Sequence, residues 1–199
     1  MAFFLEALLG GLMAGMLYAL VALGFVLIFK ASGVFNFAQG AMVLFAALSF
    51  VSIQAMGVPF WLALLLTLAL MVLLGVGIER VVLRPLVNQP PITLFMATIG
   101  LSFFLEGLAQ MVWGTDVHGL ELGIADEPFD VGGVFISKFD LFAAAVGGTL
   151  VAALALFFSK TKLGRALRAV ADDHQAAMSV GIPLKHIWAI VWGVAGFVA

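Results

Sequence analysis

Charged residues in this chain are confined to a few short islands, and the stretches between them are apolar. From Ala7 to Phe29 there are 23 residues without a charge. At about 1.5 Å per residue, a helix of that length crosses a hydrocarbon core of about 30 Å. The next uncharged stretch, Ala31–Ile78, is too long for one span, and Gly57-Val58-Pro59 supplies a hairpin near its middle. The pattern predicts a second span over Ala41–Met56 and a third over Phe60–Ile78. Glu79-Arg80 and Arg84-Pro85 then read as a short polar turn, and Asn88-Gln89-Pro90-Pro91 resists helix. A fourth span is expected over Ile92–Trp113, a fifth over Leu141–Ser159, and a sixth from near Ile187. The expected fold is all-α: a polytopic transmembrane helical bundle, about five complete spans plus the start of a sixth, forming a single domain over residues 1–199.

Composition agrees with this pattern. The chain is 64% hydrophobic and 10% charged, where a soluble domain carries about 25% charged residues. Cysteine is absent, which excludes disulfides and thiolate chemistry within the chain. A secretory signal would need a basic leader, yet Glu6 is the only charge before Lys30, so the first apolar run reads as a retained span. The final run, Ile187–Ala199, has 13 residues, too few to cross, and the chain is therefore expected to be a fragment.

Charge placement sets an expected orientation. With the N-terminus outside, the islands at Lys30, Arg80/Arg84 and Lys160–Lys185 all fall inside, carrying eight of the nine Lys and Arg residues. Only Lys138 lies outside, within an acidic outer loop over residues 115–140.

Two segments within the apolar regions carry polar groups. Gly33-Val34-Phe35-Asn36-Phe37-Ala38-Gln39-Gly40 holds two glycines, Asn36 and Gln39 directly before an apolar run. It reads either as a broken or re-entrant helix start, presenting amide donors toward a translocation path, or as a plain turn between spans. In the fourth span, Thr98, Ser102, Glu106 and Gln110 recur at steps of four. Each step drifts about 40° around a helix, giving one gently winding polar stripe that should avoid lipid. Glu106 then either lines the route or holds a gate, or it sits near the outer interface against a neighbouring helix. Ala7, Gly11, Gly15 and Ala19 in the first span form a small-residue stripe expected to pack against a helix of the same chain, with a dimer contact as the alternative, and Tyr18 is expected to pack as well.

The basic segment 160–186 is the one organised polar island. Arg165 and Arg168 lie three apart, on one face of any helix formed by Leu163–Val170. Asp172-Asp173 can cap a short helix over His174–Val180, which Gly181 and Pro183 would end. As a bland alternative, the segment is a juxtamembrane loop that sets topology and meets anionic membrane lipid. The three histidines are scattered, and Asp172-Asp173-His174 are neighbours that rarely converge on one ion, so no metal site is expected. No H-E-x-x-H, G-x-S-x-G or phosphate-cradling G-x-x-x-x-G-K-[ST] occurs, so neither catalysis nor a bound cofactor is expected, and any ATP used must bind another chain.

Several short strings carry a family resemblance. Gln175-Ala176-Ala177 followed by Gly181 resembles the E-A-A-x-x-x-G coupling motif of ABC-importer permeases, with Gln175 in place of Glu. Gly33–Gly40, Leu83-Arg84-Pro85-Leu86, Thr98-Ile99-Gly100-Leu101-Ser102 and Thr161-Lys162-Leu163-Gly164-Arg165-Ala166 resemble, in order, branched-chain amino-acid permeases of the LivH type. The resemblance implies a bacterial inner-membrane transport subunit with a second permease subunit, two cytoplasmic ATPase subunits and a periplasmic solute-binding protein as partners. It assigns ATPase coupling to Gly164, Arg165, Arg168, Gln175, Ala176, Ala177 and Gly181, while Asn36, Gln39, Thr98, Ser102 and Glu106 are the expected path residues. No nucleic acid is implied. An ion-gradient-driven transporter or channel is the alternative, and it would want paired intramembrane charges.

Overall fold

The computed structural model describes residues 2–86, 89–116, 119, 128–130, 132–173, 177, 179 and 184–199. The elements are α1 (Ala2–Ser32), α2 (Gln39–Ala55), α3 (Phe60–Ile78), α4 (Pro91–Trp113), a two-strand hairpin β1 (Phe129–Asp130) and β2 (Phe135–Ile136), α5 (Lys138–Lys160), α6 (Lys162–Asp172) and α7 (Leu184–Val198). Four helical stretches among the described residues are long and apolar enough to cross a membrane: Phe3–Ser32, Phe60–Leu86, Pro91–Trp113 and Lys138–Lys160. With 17 residues, α2 reaches only about 25 Å, short of a full crossing. The reason is that the chain before it is not helical, as described below.

Large apolar side chains such as Leu12, Leu65, Leu73, Phe103 and Leu156 point outward, while Ala31, Ala38, Ala41, Ala46, Ala63 and Ala195 are buried. A bilayer removes the penalty on exposed hydrocarbon, so small residues go where helices must approach closely. Helix α7 packs against α3 and α1, α1 also packs against α5, and α2 sits on α3 and α4. At the α3–α7 crossing the contact is backbone to backbone: a Cβ on Gly75 would strike the Trp192 carbonyl, and one on Gly196 would strike the Met71 carbonyl.

Three local expectations change. The Ala7/Gly11/Gly15/Ala19 stripe is exposed, with nothing near a Cβ built on Gly11 or Gly15. Close approach of α1 to α5 is supplied by the other partner, where Gly147 and Gly148 meet Met16 and Leu17. Tyr18 is 76% exposed and packs against nothing in the core. The polar turn at Glu79 is helical: α3 continues as a π-helical turn over Glu79–Leu83 and a 3-10 turn over Arg84–Leu86. Widening to five-residue hydrogen bonds puts the Arg84 N–H on the Glu79 carbonyl. The Arg84 side chain then binds the Glu79 carboxylate with Nε at 3.0 Å and Nη2 at 2.7 Å.

Glu79 is 1% exposed and Arg84 31%, so this is a half-wet ion pair holding a buried carboxylate. Replacing Arg84 with Gln is expected to cost about 1–2 kcal/mol, less than a fully buried pair because water reaches the guanidinium. Denaturant unfolding in detergent micelles measures it, and an Arg84→Gln protein as stable as the parent would remove the pair's structural role.

The hairpin is held at one end of the bundle. Phe129 pairs with Ile136 and Asp130 with Phe135. Gly132 (φ 66°) and Gly133 (φ 87°) make the turn, conformations open to glycine. The Phe135 N–H donates to Glu6 Oε1 at 2.9 Å, which ties the hairpin to the start of α1. The start of α1 and the strands β1 and β2 therefore share one end of the bundle. Lys30 and α6 share the other, where both line one cavity with Phe158 and Val191.

Candidate functional site

Helix α1 ends at Gly33, whose φ of 69° breaks the helix while its N–H still donates to the Phe29 carbonyl at 2.8 Å. The chain then turns back into the bundle. Gln39 comes to lie beside Gly24, where a Cβ would sit 2.9 Å from Gln39 Nε2. Gly24 is eight residues before Ser32, so the tip of the Gln39 side chain lies about 12 Å back along α1 from its end. Gly33–Gly40 thus buries Asn36 and Gln39 in the bundle, while Gly33, Phe35, Phe37 and Gly40 stay exposed.

Backbone groups inside a membrane protein must find partners, and here side chains supply several of them. Asn36 Oδ1 accepts from the Ala38 N–H at 3.2 Å, and the Asn36 carbonyl accepts from the Gln39 N–H at 3.1 Å. Asn36 Nδ2 donates to Gln39 Oε1 at 3.0 Å, and Gln39 Nε2 donates to the Ala195 carbonyl of α7 at 3.3 Å. Thr98 Oγ1 lies 2.8 Å from the Phe35 carbonyl and 2.9 Å from the Phe95 carbonyl of its own helix. Its single hydroxyl proton serves one of these at a time. Asn36, Gln39 and Thr98 are 0%, 1% and 0% exposed. Around them Phe25, Phe29, Phe35, Phe37 and Phe95 stack edge-on or tilted, with Phe29–Phe35 centroids 4.3 Å apart. The result is a polar clasp joining the segment 33–40 with α2, α4 and α7.

Of the five expected path residues, the structure brings Asn36, Gln39 and Thr98 together. Ser102 and Glu106 follow one and two turns further along α4, half-buried, with Ser102 Oγ donating to Glu106 Oε1 at 3.2 Å. The stripe drifts as helix geometry requires: Thr98 is buried and Gln110 exposed. Among the described residues, the side-chain hydrogen bond of Glu106 comes from its own helix. Glu79 and Gly24 were not singled out by sequence reasoning. Gly24 stands alone inside an apolar run, and Glu79 sits at the edge of a charged island, so neither offered a pattern.

The segment expected to couple, residues 160–186, contains α6. Thr161 caps it by accepting from the Gly164 N–H at 3.0 Å. Gly164 is required because a Cβ there would strike the Phe158 carbonyl of α5. Leu167 and Val170 are buried, while Lys162, Arg165 and Arg168 are exposed. Arg165 Nη1 lies 3.5 Å from the Lys160 carbonyl and Arg168 Nη2 3.2 Å from the Ser159 carbonyl, so both cations turn toward the negative end of α5. Helix α6 runs on through Asp172, and the Ala177 N–H donates to the Asp173 carbonyl at 3.0 Å with Ala177 buried. Gln175, Ala176 and Gly181, together with most of the expected His174–Val180 helix, lie outside the described residues.

These features define a multi-pass helical membrane protein with a polar break between α1 and α2 and an amphipathic helix lying against the bundle's basic end. Residues 7–199 match the family model for the permease component of branched-chain amino acid transport systems, and the chain belongs to that family. It is a transport subunit and not an enzyme, and it works with other components of such a system. The high-affinity branched-chain amino acid transport system permease protein BraD of Pseudomonas aeruginosa is 26% identical over 98% of this chain and 68% of its own length. The corresponding LivH protein of Escherichia coli K12 is 27% identical over 99% of this chain and 68% of its own. The fructose import permease protein FruF of Bifidobacterium longum is 24% identical over 92% of this chain and 49% of its own. No solved structure matches the chain.

Proposed function

We propose that the chain is a permease subunit of an ABC importer of the bacterial inner membrane, carrying branched-chain amino acids or related small polar solutes. The N-terminus and residues 115–140 face outward, and the basic end faces the cytoplasm. A second permease subunit completes the pathway, two cytoplasmic ATPases drive it, and a periplasmic solute-binding protein meets the outer loop. Residues 160–186 form the coupling segment.

The observation that carries this reading is the mounting of α6. Its apolar face packs against α1, α5 and α7, while Lys162, Arg165 and Arg168 stay exposed. ATP-driven closure of an ATPase pair against that face would displace α6 and the helices it touches together, a two-state element biased by nucleotide. Asn36, Gln39 and Thr98 join three of the helices that must then move past one another. Ser102 and Glu106 continue a polar line along α4 toward the outer end. The likeness to a fructose permease fits a division of labour in which the separate binding protein sets much of the solute choice.

Co-reconstitution in proteoliposomes tests the proposal. Uptake of labelled leucine, isoleucine or valine should require the ATPases and ATP. Substituting Arg165→Glu and Arg168→Glu together should preserve membrane insertion and lower ATPase co-purification by at least about tenfold, since two repulsive contacts replace two attractive ones. Solute flux from the permease without ATPases would favour a gradient-driven carrier. Normal ATPase stoichiometry in the double variant would remove α6 as the docking element.

A further inference from the structure

Where α1, α5, α6 and α7 meet at the basic end, the structure forms a half-open cavity of about 220 Å³. Its apolar wall includes Val26, Phe158, Leu167 and Val191, and its charged lining residues are Lys30 and Arg168, with no acidic partner among them. We propose that this cavity seats one anionic phospholipid of the adjoining leaflet, its phosphate between Lys30 and Arg168 and the first part of an acyl chain against the apolar wall.

The electrostatics favour an anion. Lys30 stands in the last turn of α1, and Arg168 reaches the Ser159 carbonyl near the end of α5. Each helix end carries about half a negative charge, so of two full positive charges about one remains uncompensated. Asp172, one turn beyond Arg168 on α6, is exposed and is not part of the lining. The apolar wall favours a lipid over other anions. Val26 is 49% exposed on the outer side of α1, so the wall is continuous with the surface that meets hydrocarbon. An acidic peptide entering there would bring unpaired backbone groups into the bilayer, whereas a phospholipid presents its anion and its hydrocarbon at matching depths. Basic pockets between transmembrane helices take anionic headgroups by this logic.

Native mass spectrometry of the full chain in detergent micelles, titrated with phosphatidylglycerol, phosphatidylethanolamine or inorganic phosphate, tests the seat. We expect retained phosphatidylglycerol adducts at least about fivefold above phosphatidylethanolamine, the scale of one basic residue at an anionic surface. Lys30→Gln should lower retention about fivefold. Val26→Trp should lower it comparably by filling the wall while both cations remain, and its exposed position makes folding safe. Lys162→Gln, an exposed cation outside the cavity, should retain lipid as the parent does. Equal retention of the two lipids overturns the proposal, as does displacement of lipid by millimolar phosphate. Wild-type retention in either Lys30→Gln or Val26→Trp overturns it too, and so does absence of any adduct, which would place other protein in the cavity. The assay reads bound lipid and not uptake, so it stands or fails apart from the transport reading.

Discussion

Gly75→Ala should destabilise the bundle by about 2–3 kcal/mol, near the top of the usual range for overpacking. The same change two residues on, Gly77→Ala, should be neutral or stabilising by about 0.5–1 kcal/mol. Intrinsic helix preference favours Ala at both positions, so the difference in sign isolates packing. At Gly77 an added Cβ meets nothing within 4 Å. At Gly75 it meets the Trp192 carbonyl, and backbone cannot step aside as a side-chain tip can. The crossing is reciprocal, with Gly196 against the Met71 carbonyl, so relief at one point tightens the other. Denaturant unfolding of both variants in the same micelles gives the comparison. If Gly75→Ala were as stable as Gly77→Ala, α3 and α7 would have to cross further apart than described.

Asn36→Leu is the second large effect expected. The substitution removes the acceptor of the Ala38 N–H and the donor to Gln39 Oε1. Each orphaned buried group costs about 1–3 kcal/mol, so a total of about 2–6 kcal/mol is expected. Combining it with Gln39→Leu should cost about 1 kcal/mol less than the sum, because deleting both partners of one bond leaves neither group unpaired. Strict additivity in that double-mutant cycle would mean the two amides do not act as one clasp. The same pair of variants bears on transport, since the clasp holds α2 and α7 in register with each other.

Where expected and observed elements agree, the source is simple. The third span is expected at Phe60–Ile78 and α3 has those bounds before the helix continues to Leu86, because Pro59 marks its start in the sequence. The fourth moved by one residue, since Pro91 is suited to the first turn of a helix and starts it. Within the candidate site, the break at Gly33–Gly40 was legible as a cluster of glycine and amide residues in an apolar context. The polar stripe on α4 was legible from its step of four. Their partners were not. That Gln39 reaches Ala195, 156 positions away, or that Thr98 meets Phe35, depends on how the chain returns. Glu79 looked like one of several interfacial charges, and its burial follows from a π turn that no residue pattern announced.

The small-residue stripe on α1 shows the limit from the other side. Its small side chains suit close helix approach as well as Gly75 and Gly196 do, yet it faces outward, while Gly147 and Gly148 on α5 serve the α1 contact. Spacing states that a face can be approached; it does not name the helix that approaches.

Membrane class, span positions, the broken start of α2 and the basic island at residues 160–186 are written in the order of residues, because each depends on local hydrophobicity, charge or backbone preference. Three features come from the folded bundle alone: the clasp linking Asn36, Gln39 and Thr98 across three helices, the Gly75–Gly196 crossing, and the meeting of Lys30 with Arg168 in one cavity. Each requires groups far apart in the chain to share a few ångströms, and that proximity is a property of helix packing which no local pattern encodes.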